Sequence, residues 1–200
     1  MTPSDLALDG AEVITLVTLL LGGLLIVGYA LRTGVPPMPT GPGTRAAMLR
    51  LLPERIDGTI YDLGSGWGGL AFATARRYPG NPVVGIELSP LPWLFSRVML
   101  AVFRYPNLSF RRADLMAVPL NDAGAAVCYL MPAVMQRLAP KLDAEARPGT
   151  VVVSYSFAFD RWVPDAALME ADAGPLLIYR YTVGRHPVTP APGASSPAGT

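Results

Sequence analysis

The residues best suited to hold a ligand lie in the run Ile60–Gly69, where an acid is followed by a glycine turn. Asp62 closes a short β-rich stretch, and Gly64-Ser65-Gly66 comes directly after it. In a doubly wound α/β fold, such a turn joins a strand to a helix and lies against a nucleotide-like ligand. Because the acid precedes the glycines, its carboxylate lies at the mouth of the turn, where it attracts a cationic amine and repels a pyrophosphate.

The charge preference of this turn narrows the choice of ligand. S-adenosylmethionine (SAM) carries a cationic amine and NAD does not, so the turn favours a SAM-dependent methyltransferase. Two alternatives stay open on this run alone. The spacing Gly64-x-Gly66-x-x-Gly69 also satisfies the dinucleotide pattern, and glycine-rich turns occur without any ligand.

Two more acids end predicted strands further along the chain. Glu87 follows the glycines by some twenty residues, and Asp114 ends the next strand. Carboxyl ends of parallel strands meet at one edge of the sheet, which is where ligands bind in such folds. We expect Glu87 to accept hydrogen bonds from the two ribose hydroxyls and Asp114 to accept from the adenine amino group, with Leu88 and Leu115 packing on the ring faces. The three acids together favour SAM.

The elements that must position these acids alternate between strand and helix over residues 44–184. This alternation predicts an α/β fold, a Rossmann-like class I methyltransferase with a doubly wound parallel sheet covered on both faces. The predicted strands are 59–63, 83–86, 108–113, 125–130, 150–155 and 176–183, and the predicted helices are 44–53, 67–78, 90–103 and 133–142.

Composition excludes several other kinds of site. Cys128 and His186 are the single cysteine and the single histidine, so we expect no disulfide, no metal site and no Ser-His-Asp triad. The net charge is +1 and no basic run is present, so no nucleic-acid partner is expected.

An apolar stretch precedes the predicted domain. Residues 13–31 carry no charge and would span about 30 Å as a helix, close to the thickness of a bilayer core. A signal peptide should begin with basic residues, whereas acids precede this stretch, and a buried core helix should show a polar face. We therefore predict a short amino-terminal tail over 1–12 and a transmembrane helix over 13–32 that contacts the lipid bilayer through residues 13–31.

Charge and composition predict the arrangement of the remaining segments. Arg32, Arg45 and Arg50 flank the carboxyl end of the helix, so the positive-inside rule places the catalytic domain in the cytoplasm, at a bacterial inner membrane. Residues 33–43 are a Pro/Gly-rich linker, and residues 185–200 have the composition of a disordered tail.

Several blocks in order carry a more specific resemblance. The chain resembles a family of membrane-anchored lysine methyltransferases whose animal members modify the mitochondrial ADP/ATP carrier and the c-ring protein of ATP synthase, and it is similar to the prokaryotic relatives of that family. The likeness covers roughly residues 13–164. The matching blocks are 36–40, 62–66, 85–90 with 93–97, 113–115, 129–132 and 156–164.

The resemblance implies that the methyl acceptor is a lysine of a membrane protein, whereas the residues alone imply only a methyl acceptor. One position departs from the family, because Trp67 stands where an acid usually follows the second glycine. Two other classes stay open: a methyltransferase for a membrane quinone or lipid, and a non-catalytic SAM-fold membrane adaptor, which Trp67 makes conceivable.

Methyl transfer from a sulfonium needs alignment more than acid or base catalysis, so no catalytic base is assigned. A lysine must lose its proton first, which an apolar channel favours. Tyr129, Met131 and Pro132 follow the fourth predicted strand and are the candidates for that channel, together with Thr40 and Trp162. Ordinary core and rim packing is the alternative role of these five residues.

Overall fold

The computed structural model describes residues 9–33, 40–169 and 177–185. Most of the predicted linker, the beginning of the amino-terminal tail and nearly all of the carboxy-terminal tail lie outside the described residues. The predictions made for residues 1–8, 34–39 and 186–200 therefore stay predictions.

A seven-stranded sheet forms the centre of the molecule, in the order β3-β2-β1-β4-β5-β7-β6. Strands β1 to β5 run parallel to one another. The chain starts in the middle of the sheet and reverses direction between β1 and β4, which creates the crevice where doubly wound folds bind ligands. The strands are β1 Thr59–Leu63, β2 Val83–Glu87, β3 Leu108–Arg112, β4 Ala123–Cys128, β5 Val151–Tyr155, β6 Ala166–Met169 and β7 Leu177–Thr182.

The far end of the sheet corrects the prediction of an all-parallel sheet. Strand β7 lies where the late strand over 176–183 was predicted, but it is antiparallel to both β5 and β6. Strand β6, over Ala166–Met169, was not predicted. The connection between β6 and β7 is too short for the crossover that a parallel pair requires. Strand β6 was missed because its sequence, Ala-Ala-Leu-Met, is typical of a helix.

Four helices follow the predicted pattern. They are α2 Pro42–Arg50, α3 Gly69–Arg77, α4 Pro90–Phe103 and α5 Pro132–Glu145. Helix α4 agrees with the prediction at both ends, because Pro90 occupies its first position and Arg104 closes it in a left-handed conformation with φ 52°. Helix α3 begins two residues later than predicted, because Gly68 adopts φ 83° as its N-cap.

Hydrophobic cores lie on both faces of the sheet. One face packs Met135 and Leu138 of α5 against Tyr61 and Leu63 of β1. The other face packs α2 and α3 against alternate strand residues such as Ile60 and Val127. Alternation along β1 thus sends successive side chains to opposite cores, and it places the Asp62 side chain on the same face of the sheet as α3.

An additional helix, α1, spans Gly10–Thr33 and contacts α4. Its start carries a reciprocal capping arrangement: the Asp9 N–H donates to Glu12 Oε2 at 3.0 Å, and the Glu12 N–H donates to Asp9 Oδ1 at 2.8 Å. Among the described residues, none of the helices has the length and hydropathy needed to cross a membrane, so the predicted transmembrane helix over 13–32 is not supported.

Candidate active site

The glycine turn between β1 and α3 is held by three hydrogen bonds to its neighbours. The N–H groups of Gly64 and Ser65 both donate to the Ile86 carbonyl at 2.9 Å. The Ser96 hydroxyl on α4 donates to the Gly66 carbonyl at 3.1 Å. Gly66 has φ 52°, a left-handed conformation that favours glycine. The turn is thus fixed against β2 and α4, as a rigid binding loop must be.

Asp62 lies at the carboxyl end of β1 and is only 2% exposed. Its carboxyl pKa is raised to about 7 by burial, against the opposing effect of a backbone hydrogen bond from Ala71 and with a smaller contribution from the nearby Glu87. Its Oδ2 atom has no hydrogen-bond partner among the described residues. An unpaired buried carboxylate oxygen is costly, and a cationic amine would satisfy it.

The atoms around the turn fit SAM. Ser65 Oγ is a second buried polar atom without a partner in the described part of the chain. A side chain added at Gly66 would meet nothing within 4 Å, so space is open beside the turn. An acceptor for an amine, a free hydroxyl and open space are therefore found at one place.

Glu87 is partly buried at the carboxyl end of β2 and has a structural role that the sequence did not reveal. Its Oε2 accepts from the Gly66 N–H at 2.8 Å, and its Oε1 accepts from the Ser89 N–H at 2.6 Å. It thus joins the glycine turn to the start of α4. Each carboxylate oxygen can accept a second hydrogen bond, so the predicted role towards ribose hydroxyls is compatible with this geometry.

Asp114 lies beyond the end of β3, at the same edge of the sheet. It is exposed, and its Oδ1 accepts from the Met116 N–H at 2.9 Å, which caps a short 3-10 helix over Leu115–Ala117. Leu88 is 44% exposed, whereas Leu115 packs partly against the core. The strand order therefore brings the predicted adenosine-binding residues to the edge that holds Asp62.

Two aromatic side chains lie at the carboxyl ends of β4 and β5, beside the cofactor region. The rings of Tyr129 and Tyr155 meet at 4.8 Å with an interplanar angle of 60°. Burial, and next the neighbouring Tyr155, raise the pKa of the Tyr129 hydroxyl. Tyr155 was missed as a site residue because it ends the strand Val151–Tyr155, whose sequence is typical of a fully buried core strand. Its position at the carboxyl end of β5 was the available signal.

The other predicted substrate residues lie in different places. Met131 is the partly exposed N-cap of α5, and Pro132 is the exposed first residue of that helix. Thr40 is partly buried two residues before α2. These three residues lie at segment ends, where an acceptor can approach.

Trp162 is not brought together with Tyr129. It is 5% exposed and belongs to the α5-side core, where its ring lies 4.7 Å from that of Phe159. Its indole N–H donates to Asp143 Oδ2 at 3.3 Å. Tyr129 packs against the core on the other face of the sheet, so Trp162 and Tyr129 lie on opposite faces.

The departure at Trp67 has a clear structural setting. Its ring lies edge-on to that of Phe95, with centroids 5.3 Å apart, so it bridges the glycine turn and α4. The residues that hold the turn, Ser96 and Glu87, do not depend on an acid at this position.

Metal-ion catalysis and a cysteine nucleophile find no support in the described residues. No group of three or more histidine, cysteine or acidic side chains is placed to hold a metal ion there. Cys128 is fully buried, and burial raises the pKa of its thiol, which keeps it from acting as a nucleophile.

Comparison with known proteins decides the family. A family model described as the ANTKMT methyltransferase domain matches residues 62–166, which include every strand from β2 to β5. The chain belongs to the ANTKMT methyltransferase family. The matched region of this ANTKMT-family chain begins at Asp62 and includes Glu87, Asp114 and Tyr129.

Relatives and solved structures agree with this assignment. A protein-lysine N-methyltransferase of Saccharolobus islandicus (strain REY15A) is 27% identical over 159 residues, which are 76% of this chain and 96% of that protein. The adenine nucleotide translocase lysine N-methyltransferase of Mus musculus is 35% identical over 143 residues, which are 70% of this chain and 61% of that protein. The structure of an RNA methyltransferase from Salinibacter ruber in complex with S-adenosyl-L-homocysteine has a TM-score of 0.67 and 33% identity, and the match covers 73% of this chain and 94% of that one.

The ANTKMT-family chain is therefore a SAM-dependent methyltransferase with a Rossmann-like class I fold. SAM supplies a methyl group bonded to a positively charged sulfur. In this chain Asp62 has an unpaired carboxylate oxygen of the kind that an amine can satisfy. Glu87 and Ser96 hold the turn, and two tyrosine rings meet at the carboxyl ends of β4 and β5. Binding in a fixed orientation contributes most to an in-line displacement of this kind.

Proposed function

We propose that the protein methylates the side-chain amine of a lysine in a membrane protein. The observation that carries this proposal is the aromatic pair Tyr129 and Tyr155 at the carboxyl ends of β4 and β5. A partly desolvated aromatic site disfavours the ammonium form of an incoming lysine and exposes the lone pair that must attack. It also holds the narrow alkyl chain of the side chain by apolar contact.

The names of two relatives support a lysine acceptor. The Saccharolobus islandicus relative is a protein-lysine N-methyltransferase, and the Mus musculus relative acts on a lysine of adenine nucleotide translocase. No general base is needed in this scheme, because the lysine releases one proton to solvent on entering the apolar site. The neutral nitrogen then takes the methyl group as the carbon–sulfur bond of SAM breaks, and the product leaves as a methylated ammonium together with S-adenosylhomocysteine.

Attachment to a membrane is part of the same proposal. Helix α1 exposes a set of large apolar side chains, which supports contact with a lipid bilayer. Arg32 lies at the carboxyl end of this helix and Arg45 and Arg50 follow it, and their charge supports a catalytic domain on the cytoplasmic side of a bacterial inner membrane. The exposed apolar residues of α1 are Val13, Ile14, Leu16, Val17, Leu19, Leu20, Leu21, Leu24 and Val27.

RNA is the second candidate acceptor, because the similar Salinibacter ruber protein is an RNA methyltransferase. The near-zero net charge of this chain favours the protein acceptor, since RNA-binding surfaces are strongly basic.

The test is transfer of a radiolabelled methyl group from SAM to fractions of the host cell: membrane protein, soluble protein, extracted lipid and total RNA. We expect label in membrane protein, recovered as methyl-lysine after acid hydrolysis. The variant Tyr155→Leu should lose most of the transfer but bind SAM as the wild type does. Label in RNA or lipid alone would overturn the lysine proposal, and full activity of Tyr155→Leu would remove the aromatic pair from it.

A further inference from the structure

Arg45 lies next to the cofactor turn although no pattern in the sequence places it there. It is partly buried on the first turns of α2. A Cβ atom added at Gly69, the first residue of α3, would lie 2.6 Å from Arg45 Nη1 and 3.5 Å from Arg45 Cζ. The guanidinium group therefore occupies the space that a side chain at position 69 would fill.

The charge of Arg45 has no counter-ion in the described part of the chain. The described residues contain an ion pair between Lys141 and Glu145. Within the same residues the Arg45 backbone N–H donates to the Gly41 carbonyl at 3.0 Å, whereas its guanidinium group takes part in no ion pair or hydrogen bond. A partly buried cation without a partner loses hydration and gains nothing in return, which is the state expected of a side chain that pairs with an anionic ligand.

The Asp62 carboxylate and the Arg45 guanidinium, which carry opposite charges, both contact the first turn of α3. The Asp62 carboxylate receives a hydrogen bond from the Ala71 backbone, and Arg45 packs on Gly69. These two α3 residues are separated by a rise of about 3 Å. Two groups of opposite charge therefore contact the first turn of α3, and the positive end of the helix dipole adds to the charge of Arg45.

From this arrangement we propose that Arg45 binds the α-carboxylate of SAM while Asp62 holds its α-amine. The proposal rests on the SAM assignment and adds the group that recognises the other half of the amino-acid moiety. A guanidinium group suits this task because it donates two parallel hydrogen bonds to a carboxylate. Gly69 is required for it, because a larger residue would displace the guanidinium.

The experiment compares two cofactors that differ by one group. Calorimetric titration of the full-length protein is carried out with SAM and with decarboxylated SAM, which keeps the sulfonium, the amine and the adenosine. We expect the wild type to bind SAM at least tenfold more tightly than decarboxylated SAM. Arg45→Ala should lose that preference: its Kd for SAM rises at least tenfold, and its Kd for decarboxylated SAM stays within twofold of the wild-type value.

Two further variants make the result specific. Arg76→Ala removes an exposed arginine from the far end of α3 and should leave both Kd values unchanged. Gly69→Ala should raise the Kd for SAM several-fold more than the Kd for decarboxylated SAM, because it moves the guanidinium group without removing it.

Two outcomes would overturn the role of Arg45. In the first, Arg45→Ala unfolds at the wild-type temperature but loses affinity equally for both cofactors. In the second, it loses affinity for neither. If the wild type bound neither SAM nor decarboxylated SAM, the result would instead contradict the SAM assignment itself.

Discussion

Two aspartates at opposite edges of the sheet show how stability and function are separated in this molecule. Asp122 lies at the amino-terminal edge, where Thr59 Oγ1 donates to its Oδ2 at 2.7 Å and the Tyr61 hydroxyl donates to its Oδ1 at 2.9 Å. Asp62 lies at the carboxyl-terminal edge, and its Oδ2 has no partner within the described residues. Both oxygens of the first carboxylate have partners within the fold, whereas one oxygen of the second has none.

The pKa values of the two carboxyl groups move in opposite directions. Against the effect of burial, hydrogen bonds from Thr59 and Tyr61 hold the pKa of Asp122 below its usual value. Burial without such bonds raises the pKa of Asp62 to about 7. We infer that Asp122 stabilises the folded state when ionised, whereas ionised Asp62 destabilises it until a cation binds.

The largest expected effect belongs to Asp62→Asn, which should weaken SAM binding by more than a hundredfold and stabilise the ligand-free protein. A carboxyl whose folded pKa is raised takes up protons on folding, so the free energy of unfolding falls as pH rises from about 4 to about 7. The variant avoids this loss, which amounts to at most about 4 kcal/mol. Thermal unfolding at pH 8 should show a midpoint several degrees higher than that of the wild type. A lower midpoint with intact SAM binding would contradict the contrast between the two aspartates.

The matching change at the other edge is Asp122→Ala, which should lower the free energy of unfolding by about 1 to 2 kcal/mol, because it leaves the Thr59 and Tyr61 hydroxyls without their shared acceptor. Urea denaturation measures this. The Kd for SAM should stay within twofold of the wild-type value, and a large change in Kd would show that the two edges are coupled.

Titration of the SAM affinity against pH sharpens the same contrast. Because only ionised Asp62 attracts the amine, affinity should rise roughly fivefold between pH 6 and pH 7.5. It should fall again at higher pH, as the α-amino group of SAM deprotonates near about 8. The rising limb should be absent in Asp62→Asn and unchanged in Asp122→Ala. A rising limb retained in Asp62→Asn would assign the titration to another group.

The smallest expected effect is that of Tyr61→Phe. Burial, and next the neighbouring Asp122, raise the pKa of the Tyr61 hydroxyl to about 12, so it donates its proton throughout the neutral range. Removing the hydroxyl should cost about 1 kcal/mol of stability without changing the Kd for SAM. The same urea measurement checks it, with Tyr105→Phe as a matched tyrosine control.

The elements that the sequence predicted well are those with local signals. Helix α4 was predicted at both ends, because the start at Pro90 and the end at Phe103 depend on residues next to each end in the sequence. Asp62, Glu87 and Asp114 were placed at one edge because parallel strands present their carboxyl ends together. The predicted parallel direction failed for β7, since strand direction depends on the length of the connection and on long-range pairing.

The site was predicted from the sequence only as a set of residue types. That Trp162 lies in the α5-side core follows from packing against Phe159 and Tyr181, which no local pattern encodes. The juxtaposition of Tyr129 and Tyr155 arises because β4 and β5 are neighbours. The pairing of Arg45 with Gly69 joins residues of two separate helices in the same way.

Sequence by itself determined the order of strands and helices from β1 to β5, the acids at the strand ends and the glycine turn, because hydrophobic alternation and backbone freedom act over a few residues. Tertiary structure alone decided which carboxylate keeps a partner. Asp62 and Asp122 are the same residue type at strand boundaries, and only the folded arrangement supplies Asp122 with two hydroxyl donors and leaves Asp62 with an unpaired oxygen. Burial and hydrogen bonding are properties of the assembled sheet, so two aspartates of the same chemistry acquire carboxyl pKa values shifted in opposite directions.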